Sequence, residues 1–401
     1  MLGLANTVSS SSTPESKYSL EFDGTDDYLD LGDHDEFTFG NGSADSAFSV
    51  SAWINTDTAN NFRILSKNSA SDAAAAEYLF ATRADNGKLQ FTLYDGGNGV
   101  HISVRTSSAL NTGEWYHAVG TYDGGGAHGG IKIYVNGSDL TSDGTESGSY
   151  TAMGDNHTAS LEIGRFVHTG DASGSWADGK ITDVAIWNVA LDAAAVTAIY
   201  NSGKPTNLTF DDGGSYDNSS ALVAYWRMGN GSFDDKANGV IHDQHAPGFG
   251  SEMWDGVQGD DANWELFDGT VAEDDGAVKI TYDSGASGAF IRLKDDKDLN
   301  ADLVVGKTYK MSFSTKVNQG SIVWVCSTTG GGTNDAATAI TSTSFETRNL
   351  TFIADHATNV YVYSNTMAAG DSVWIKDISL KQLNGLPALT SGGPTFSSDT
   401  P

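Results

Sequence analysis

Six aspartates crowd one short stretch, Asp23, Asp26, Asp27, Asp30, Asp33 and Asp35, within FDGTDDYLDLGDHD. Carboxylates at this density are hard oxygen donors, the chemistry that a divalent cation such as calcium takes. Their spacing is not that of an EF-hand loop. The same run is what a solvated acidic surface looks like, in a chain of 22 basic and 52 acidic side chains. A second chemistry, stacking on pyranose rings, needs exposed aromatic faces with Asn, Asp or Arg beside them. Trp53 on the polar side of its strand, and Trp176 in a Gly/Ser/Asp loop, are candidates in the first half of the chain. Trp324, Tyr361 and Tyr363 are candidates in the second. Each also fits a place in a core or a subunit contact.

Bond-breaking chemistry finds little to work with. Glycosidases need paired carboxylates spaced for acid and nucleophile roles, and no Glu-x-Asp-x-x-Glu run occurs. His117 follows Trp115 and Tyr116 without a Ser or Cys nucleophile motif near it. His101, His128, His157 and His168 fall in separate segments without zinc-like spacing. Cys326, the only cysteine, sits in the apolar run SIVWVCS and reads as an inert buried thiol. The triple glycines at 124–126 and 330–332 lack the Lys-Ser/Thr that a phosphate-binding loop needs. The chain therefore reads as a non-enzyme.

The elements that must carry these residues are strands. Glycine is abundant (47) and proline scarce (6), which suits many turns closed by Gly, Asn and Asp. In FSVSAWIN, Phe48, Val50, Ala52 and Ile54 share one face, and Ser49, Ser51, Trp53 and Asn55 share the other. Ile131, Ile133 and Val135 alternate up to Asn136-Gly137, a hairpin signal. One helix stands out, with Asp192 as cap, an alanine-rich body over 193–201, and Gly203 and Pro205 beyond. Around 246–250 the pattern breaks and a second run of strands begins, of which Thr308–Val317 alternates best.

At 401 residues the chain is long enough for two cores. The expected division is a Ser/Thr-rich arm at 1–16, a β-sandwich over 17–245, a second over 246–383, and another arm at 384–401. The fold class is all-β, two consecutive antiparallel sandwiches of jelly-roll type with one short helix in the first. A formal charge of −30 excludes nucleic acid as a partner, because a phosphate backbone needs a basic face. No apolar run is long enough to insert in a membrane as a helix. The N-terminus lacks the basic start and apolar core of an export signal.

Residues 18–203 resemble the laminin-G-like, concanavalin-A-like family, and its pentraxin-like branch in particular. The resemblance rests on SLEFDGTDDYLDLG at 19–32, FSVSAWIN at 48–55, ILSK at 64–67 and GEWYHAVGTYDG at 113–124. It continues through IKIYVNG at 131–137, LEIGR at 161–165 and KITDVAIWNVAL at 180–191. Residues 251–383 are similar to jelly-roll carbohydrate-binding modules, through NWELFDG at 263–269, GAVKIT at 276–281, VGKTYKMSF at 305–313 and VWIKDISLKQL at 373–383. The pairing of the two resembles marine phage structural proteins.

These resemblances imply binding rather than turnover. They imply a structural Ca2+ held by the early turn, Asp23 and Gly24, with Asp183 in a late strand, and a second at Asp377. Asp183 shares its strand face with Ile181, Ala185 and Trp187, and a carboxylate there needs a partner: a cation, backbone amides or water. The function implied is an exterior appendage of a phage virion, such as a fibre, head decoration or capsid spike. Its partners would be other virion proteins and host surface glycans, in a homo-oligomer expected to be a trimer. It would be made in the host cytoplasm and end on the virion exterior. The alternative is a secreted bacterial polysaccharide-binding protein.

Overall fold

The computed structural model describes residues 16–401 apart from 70–74, 97–98, 155–158, 167–174, 232–233, 235, 237–238, 246–248, 254–263, 268, 284–289, 295–301, 306, 320–321, 328–335, 355, 357–358, 364–366 and 384–386. Two compact units result, one of Met1–Ala246 with Pro387–Pro401, the other of Pro247–Leu386.

The first unit opens with β1 (Ser19–Asp23), β2 (Tyr28–Asp30), β3 (Phe48–Thr56), β4 (Arg63–Asn68), β5 (Tyr78–Thr82) and β6 (Lys88–Tyr94). It continues with β7 (His101–Ala109), β8 (Trp115–Tyr122), β9 (Ile131–Val135), β10 (Ser138–Asp139), β11 (Thr141–Ser147) and β12 (Ser160–Ile163). Then come β13 (Arg165–Phe166), β14 (Ser175–Trp176), β15 (Asp178–Trp187), α1 (Ala193–Tyr200), β16 (Leu222–Trp226) and β17 (Val240–His242). The second unit holds β18 (Phe249–Glu252), β19 (Trp264–Phe267), β20 (Gly269–Asp274), β21 (Ala277–Tyr282), β22 (Phe290–Lys294) and β23 (Thr308–Val317). It ends with β24 (Ile322–Ser327), β25 (Ala336–Ile340), β26 (Glu346–Ile353), β27 (Asn359–Tyr363) and β28 (Ser372–Leu383). β29 (Pro387–Ser391) and β30 (Thr395–Ser397) return to the first unit.

Unit one is an antiparallel sandwich. One sheet runs β10-β9-β8-β3-β15-β1-β30, with β16 also on β15. The other runs β11-β7-β6-β5-β4-β12-β2-β29-β17. Between them, alternating apolar positions interdigitate: Phe48 stacks on Phe39 at 4.3 Å between centroids and meets Tyr78 and Phe91 edge-on or tilted. α1 closes the outer face of the first sheet, packing Val196 and Ile199 against Trp187, Tyr134 and Tyr225. Its Asp192 side chain accepts from Ala195 N–H at 2.8 Å, and Asn201 takes the left-handed terminal position.

The outer face of β3 is therefore not a polar surface. All nine of its residues are buried. Trp53, expected to present a free face, is 4% exposed and lies between His117 and Tyr200, 4.9 and 5.9 Å away between centroids.

Residues 384–401 were expected to form a loose arm. The described part instead completes unit one, with β29 between β2 and β17 and β30 on β1. Strand edges leave unpaired N–H and C=O groups, and a returning segment that pairs with them needs little side-chain burial of its own to be held. Side chains add to it: Asp399 accepts from Trp115 Nε1 at 3.1 Å and pairs with Lys180 at 3.4 Å. Because β17 and β29 are antiparallel neighbours, the whole of unit two is an insertion in one hairpin of unit one. At the other terminus Ser16 is buried, its hydroxyl donating to Asp183 at 2.7 Å.

Unit two is a second antiparallel sandwich. One sheet runs β20-β21-β28-β23-β26 with β18 on β28, and the other β19-β22-β27-β24-β25. Tyr309, Met311, Phe313 and Val317 of β23 pack with Ile375 and Leu380 of β28 and with Leu350 and Phe352 of β26 in its core.

Candidate functional site

β1 ends at Asp23, in register with Asp178 at the start of β15. The chain then turns through Gly24 at φ +74°, where a Cβ would lie 2.9 Å from that of Asp178, so only glycine fits. Inside the turn, Asp23 Oδ1 accepts from Thr25 N–H at 2.8 Å and Asp27 Oδ2 accepts from Asp23 N–H at 3.0 Å. Asp23, Asp26 and Asp27 each bring a carboxylate oxygen within 4.8 Å of the others. Burial first, and then Asp23 and Asp26, push the Asp27 carboxyl up from its ordinary range, against the Asp23 amide that pulls it down. Asp178 is raised by burial and by Asp57 and Asp23.

Of these residues Asp23, Gly24 and Asp178 border a depression of about 300 Å³, lined also by Thr58, Asn60, Asn61, Ser175 and Trp176. Trp176 comes from β14, which pairs with β13 in a two-stranded sheet. Its Nε1 is buried and makes no hydrogen bond among the described residues. The Arg165 guanidinium lies 5.9 Å from the Trp176 ring and 3.6 Å from that of Tyr28, and is itself ion-paired with Glu162. One indole, two amides, two hydroxyls and two carboxylates thus share one hollow. That donor set can hydrogen-bond vicinal hydroxyls, and the three turn aspartates can hold a hard cation.

Three residues singled out from the sequence, Asp23, Gly24 and Trp176, meet here. Asp183 does not join them. It lies farther along β15, roughly 15 Å from Asp178 at the usual strand rise. There its Oδ1 accepts from Tyr225 OH at 2.5 Å and Arg227 Nε at 3.2 Å, and its Oδ2 from Ser16 and Thr182 hydroxyls at 2.7 and 3.1 Å. Asp183 thus stands apart from Asp23 and Gly24: a guanidinium supplies the positive charge beside it, and four donors reach its oxygens. Asp377 is exposed on β28. It has φ +52° next to a register shift, as Asp183 has φ +49° in its own strand, so both mark bulges. Among the described residues the one cluster of metal-type ligands is the Asp23 turn.

Trp324 lies on β24, and Tyr361 and Tyr363 lie on the neighbouring β27. The side chains of these three residues lie outside the described residues. His117 is buried beside Trp53, and burial pushes its imidazole down to about 3, so it stays neutral framework. Sequence reasoning missed Asp178, Asn60 and Asn61, because pairing in space brings them to the turn: β15 pairs with β1 at Asp178 and with β3, which leads into Asn60 and Asn61. An Asp opening the strand DGKITDVAIW was the available signal.

Residues 23–197 match the family model described as the concanavalin A-like lectin/glucanases superfamily. That segment lies within unit one. Among solved structures, the chain is similar to the heptameric SAP-like pentraxin from Limulus polyphemus at 17% identity, covering 46% of this chain and 82% of that one, with a TM-score of 0.33. A Bacteroides ovatus protein named for carbohydrate binding shares 19% identity over 57% of this chain and 56% of its own, with a TM-score of 0.35. A family 29 carbohydrate-binding module variant in complex with mannohexaose shares 14% identity over 34% of this chain and 92% of its own, with a TM-score of 0.26. No curated protein matches the chain. Every residue that lines the Trp176 depression falls within the matched segment.

Proposed function

We propose that this chain is a carbohydrate-binding, non-catalytic structural protein that serves as an exterior appendage of a bacteriophage particle. The observation that carries the binding reading is the convergence of Trp176 with Asn60, Asn61, Asp23 and Asp178 in one hollow of the segment that matches the concanavalin A-like family model. A pyranose ring packs its C–H face on the indole, and its hydroxyls exchange hydrogen bonds with the amides and carboxylates. Ca2+ at Asp23, Asp26 and Asp27 neutralises charge that would otherwise repel an acidic ligand and keep the turn loose. Two sandwiches, one inserted in the other, suit a part that is anchored by one unit and presents the other, and we propose that it assembles as a closed homo-oligomer, a trimer.

Glycan-array screening of the parent and of Trp176→Ala tests the binding reading. We expect at least a tenfold loss of affinity in the variant, about 1.4 kcal/mol, with melting unchanged. Binding that survives the substitution would place the ligand elsewhere. Metal analysis of dialysed protein, with melting followed on adding Ca2+, tests the ion. Mass spectrometry and cryo-electron microscopy of purified particles test the virion role, which fails if the chain is absent from them.

A further inference from the structure

We propose that a second hollow, on the open face of the nine-stranded sheet of unit one, recognises the acidic group of a saccharide, a carboxylate or a sulfate carried on the sugar. The proposal rests on the carbohydrate-binding reading of this unit and names the ligand's charge. Along β5 and β6 the alternation sends Tyr78, Phe80, Leu89, Phe91 and Leu93 into the core. Leu79, Ala81, Gln90, Thr92 and Tyr94 stand on the opposite face, where they line a slot of about 240 Å³ together with Arg63, Arg83 and Phe166. Register places Arg63, Ala81 and Gln90 in one row across three strands, with Leu79 opposite Thr92 in the next.

The slot holds two guanidinium groups in a chain with 22 basic side chains against 52 acidic ones. How these cations are held is the telling point. Lys67, Arg165 and Arg227 are locked to buried carboxylates of Glu77, Glu162 and Asp183. Arg83 is paired with Asp85, whose side chain is 56% exposed, and it also donates from Nη1 to Gln90 at 3.0 Å. Its Nε and Nη2 reach the two Asp85 oxygens at 2.7 and 3.3 Å, the two-point fork a ligand's oxyanion would take, and both side chains are open to water, so such an oxyanion competes with Asp85 for the same donors. On the flank, Arg105 and Lys88 both pair with Asp143, at 3.6 and 3.9 Å and itself 59% exposed. Arg63 donates from Nη2 to Asn61 at 3.2 Å and sits 5.6 Å from the Phe166 ring centroid.

Chemistry then selects the ligand. Planar guanidinium forks match carboxylate and sulfate oxygens, two parallel N–H donors to two oxygens. Phe166 stacks on Tyr94 at 6.4 Å and 20°, giving the slot an aromatic wall for a sugar's C–H face. Gln90 ties the floor of the slot together, accepting from Arg83 at 3.0 Å and donating to Thr92 Oγ1 at 2.7 Å, and so fixes where the guanidinium sits. Arg63 and Arg83 both pull on the Tyr94 hydroxyl, although burial prevails and pushes it up to about 12, which places both charges beside the slot. Asn61, which Arg63 reaches, lines the Trp176 hollow, so one hydrogen bond links a residue of each depression.

Isothermal titration of the full chain with tetragalacturonate, its methyl ester and a κ-carrageenan tetrasaccharide tests the slot. We expect tetragalacturonate or the carrageenan to bind, whichever acid group fits, and affinity to fall with added salt. Arg83→Gln should weaken that binding about tenfold, and leave any neutral saccharide detected by array within about twofold. Gln90→Ala, on the same surface, should weaken it by a smaller factor if Arg83→Gln compromises folding. The proposal is overturned if neither acidic probe binds, if the methyl ester binds as well as the free acid, or if both variants bind like the parent. Should a neutral glycan alone bind, and do so through Trp176, the slot is refuted and the carbohydrate-binding reading stands. If no saccharide of either kind binds, both are refuted.

Discussion

Lys67 carries its ammonium to a position with no exposed side-chain surface, where Nζ donates to Glu77 at 2.8 Å, to Asp33 at 3.2 Å and to the Ala159 carbonyl at 2.8 Å. Three acceptors for three protons is a complete set, and that is what allows a lysine in a sandwich core. Glu77 is equally buried, and burial pushes its carboxyl up to about 7 despite the opposing pull of Lys67. Removing one partner leaves the other without compensation. We expect Lys67→Met to destabilise unit one by about 3–5 kcal/mol in denaturant unfolding, and Lys67→Met with Glu77→Gln together to recover much of the loss. A loss below about 1 kcal/mol would show that water or another cation reaches Glu77. Asp183 and Arg227 follow the same rule. The residue that resemblance marks for a metal is, in this chain, half of an ion pair.

The strand edges explain why the chain's end matters to its beginning. β1 lies between β15 and β30, and β2 between β12 and β29, so both early strands lose a partner if the chain stops before Pro387. Deletion of 387–401 also removes the Asp399 contacts to Trp115 and Lys180. We expect that deletion to abolish the cooperative melting of unit one and to promote association through its bared edges, read by calorimetry and light scattering. Retention of the parent transition would mean that β29 and β30 merely decorate the sandwich. Little of this arrangement was legible in the sequence: PALTS and TFS are too short for alternation to show, and β20, GTVAED, mixes acids with Gly and Ala and escaped for the same reason. Where alternation is long it reads directly, as in β23, whose limits Thr308–Val317 are those the pattern sets out. The aspartates within ITDVAIW and IKDIS were legible as anomalies but not as bulges. A carboxylate in an apolar strand signals either a ligand or a left-handed kink, which Asp tolerates better than most residues, and the deciding partner, Arg227, lies 44 residues from Asp183. For the candidate site the turn and Trp176 were readable, whereas Asp178, Asn60 and Asn61 join them only through pairing in space.

At the scale of the whole molecule the charge of −30 sets how stability answers to pH and salt. Asp27, Glu77, Glu162, Asp178 and Asp234 are all raised above their ordinary values, with burial the largest cause in each. A carboxyl raised on folding holds its proton more tightly in the folded chain than in the unfolded one. Its contribution to stability is therefore full below the unfolded pKa and is lost as pH climbs through the folded one. For Glu77 that window runs from the ordinary 4.5 to about 7. Net repulsion acts in the same direction, since protonation lowers the negative charge of the compact state more usefully than that of an expanded chain. We expect the melting temperature in low salt to fall between about pH 5.5 and pH 8, and about 0.5 M sodium chloride at pH 8 to restore part of it by screening the surface charge. Glu77→Gln should flatten the part of the slope that salt does not remove, because burial shields that group from screening. A profile that is flat, or that rises with pH, would mean that the buried carboxyls are held ionised by their partners. In that case Lys67 and its counterparts, rather than protons, balance the acidic core at every pH tested.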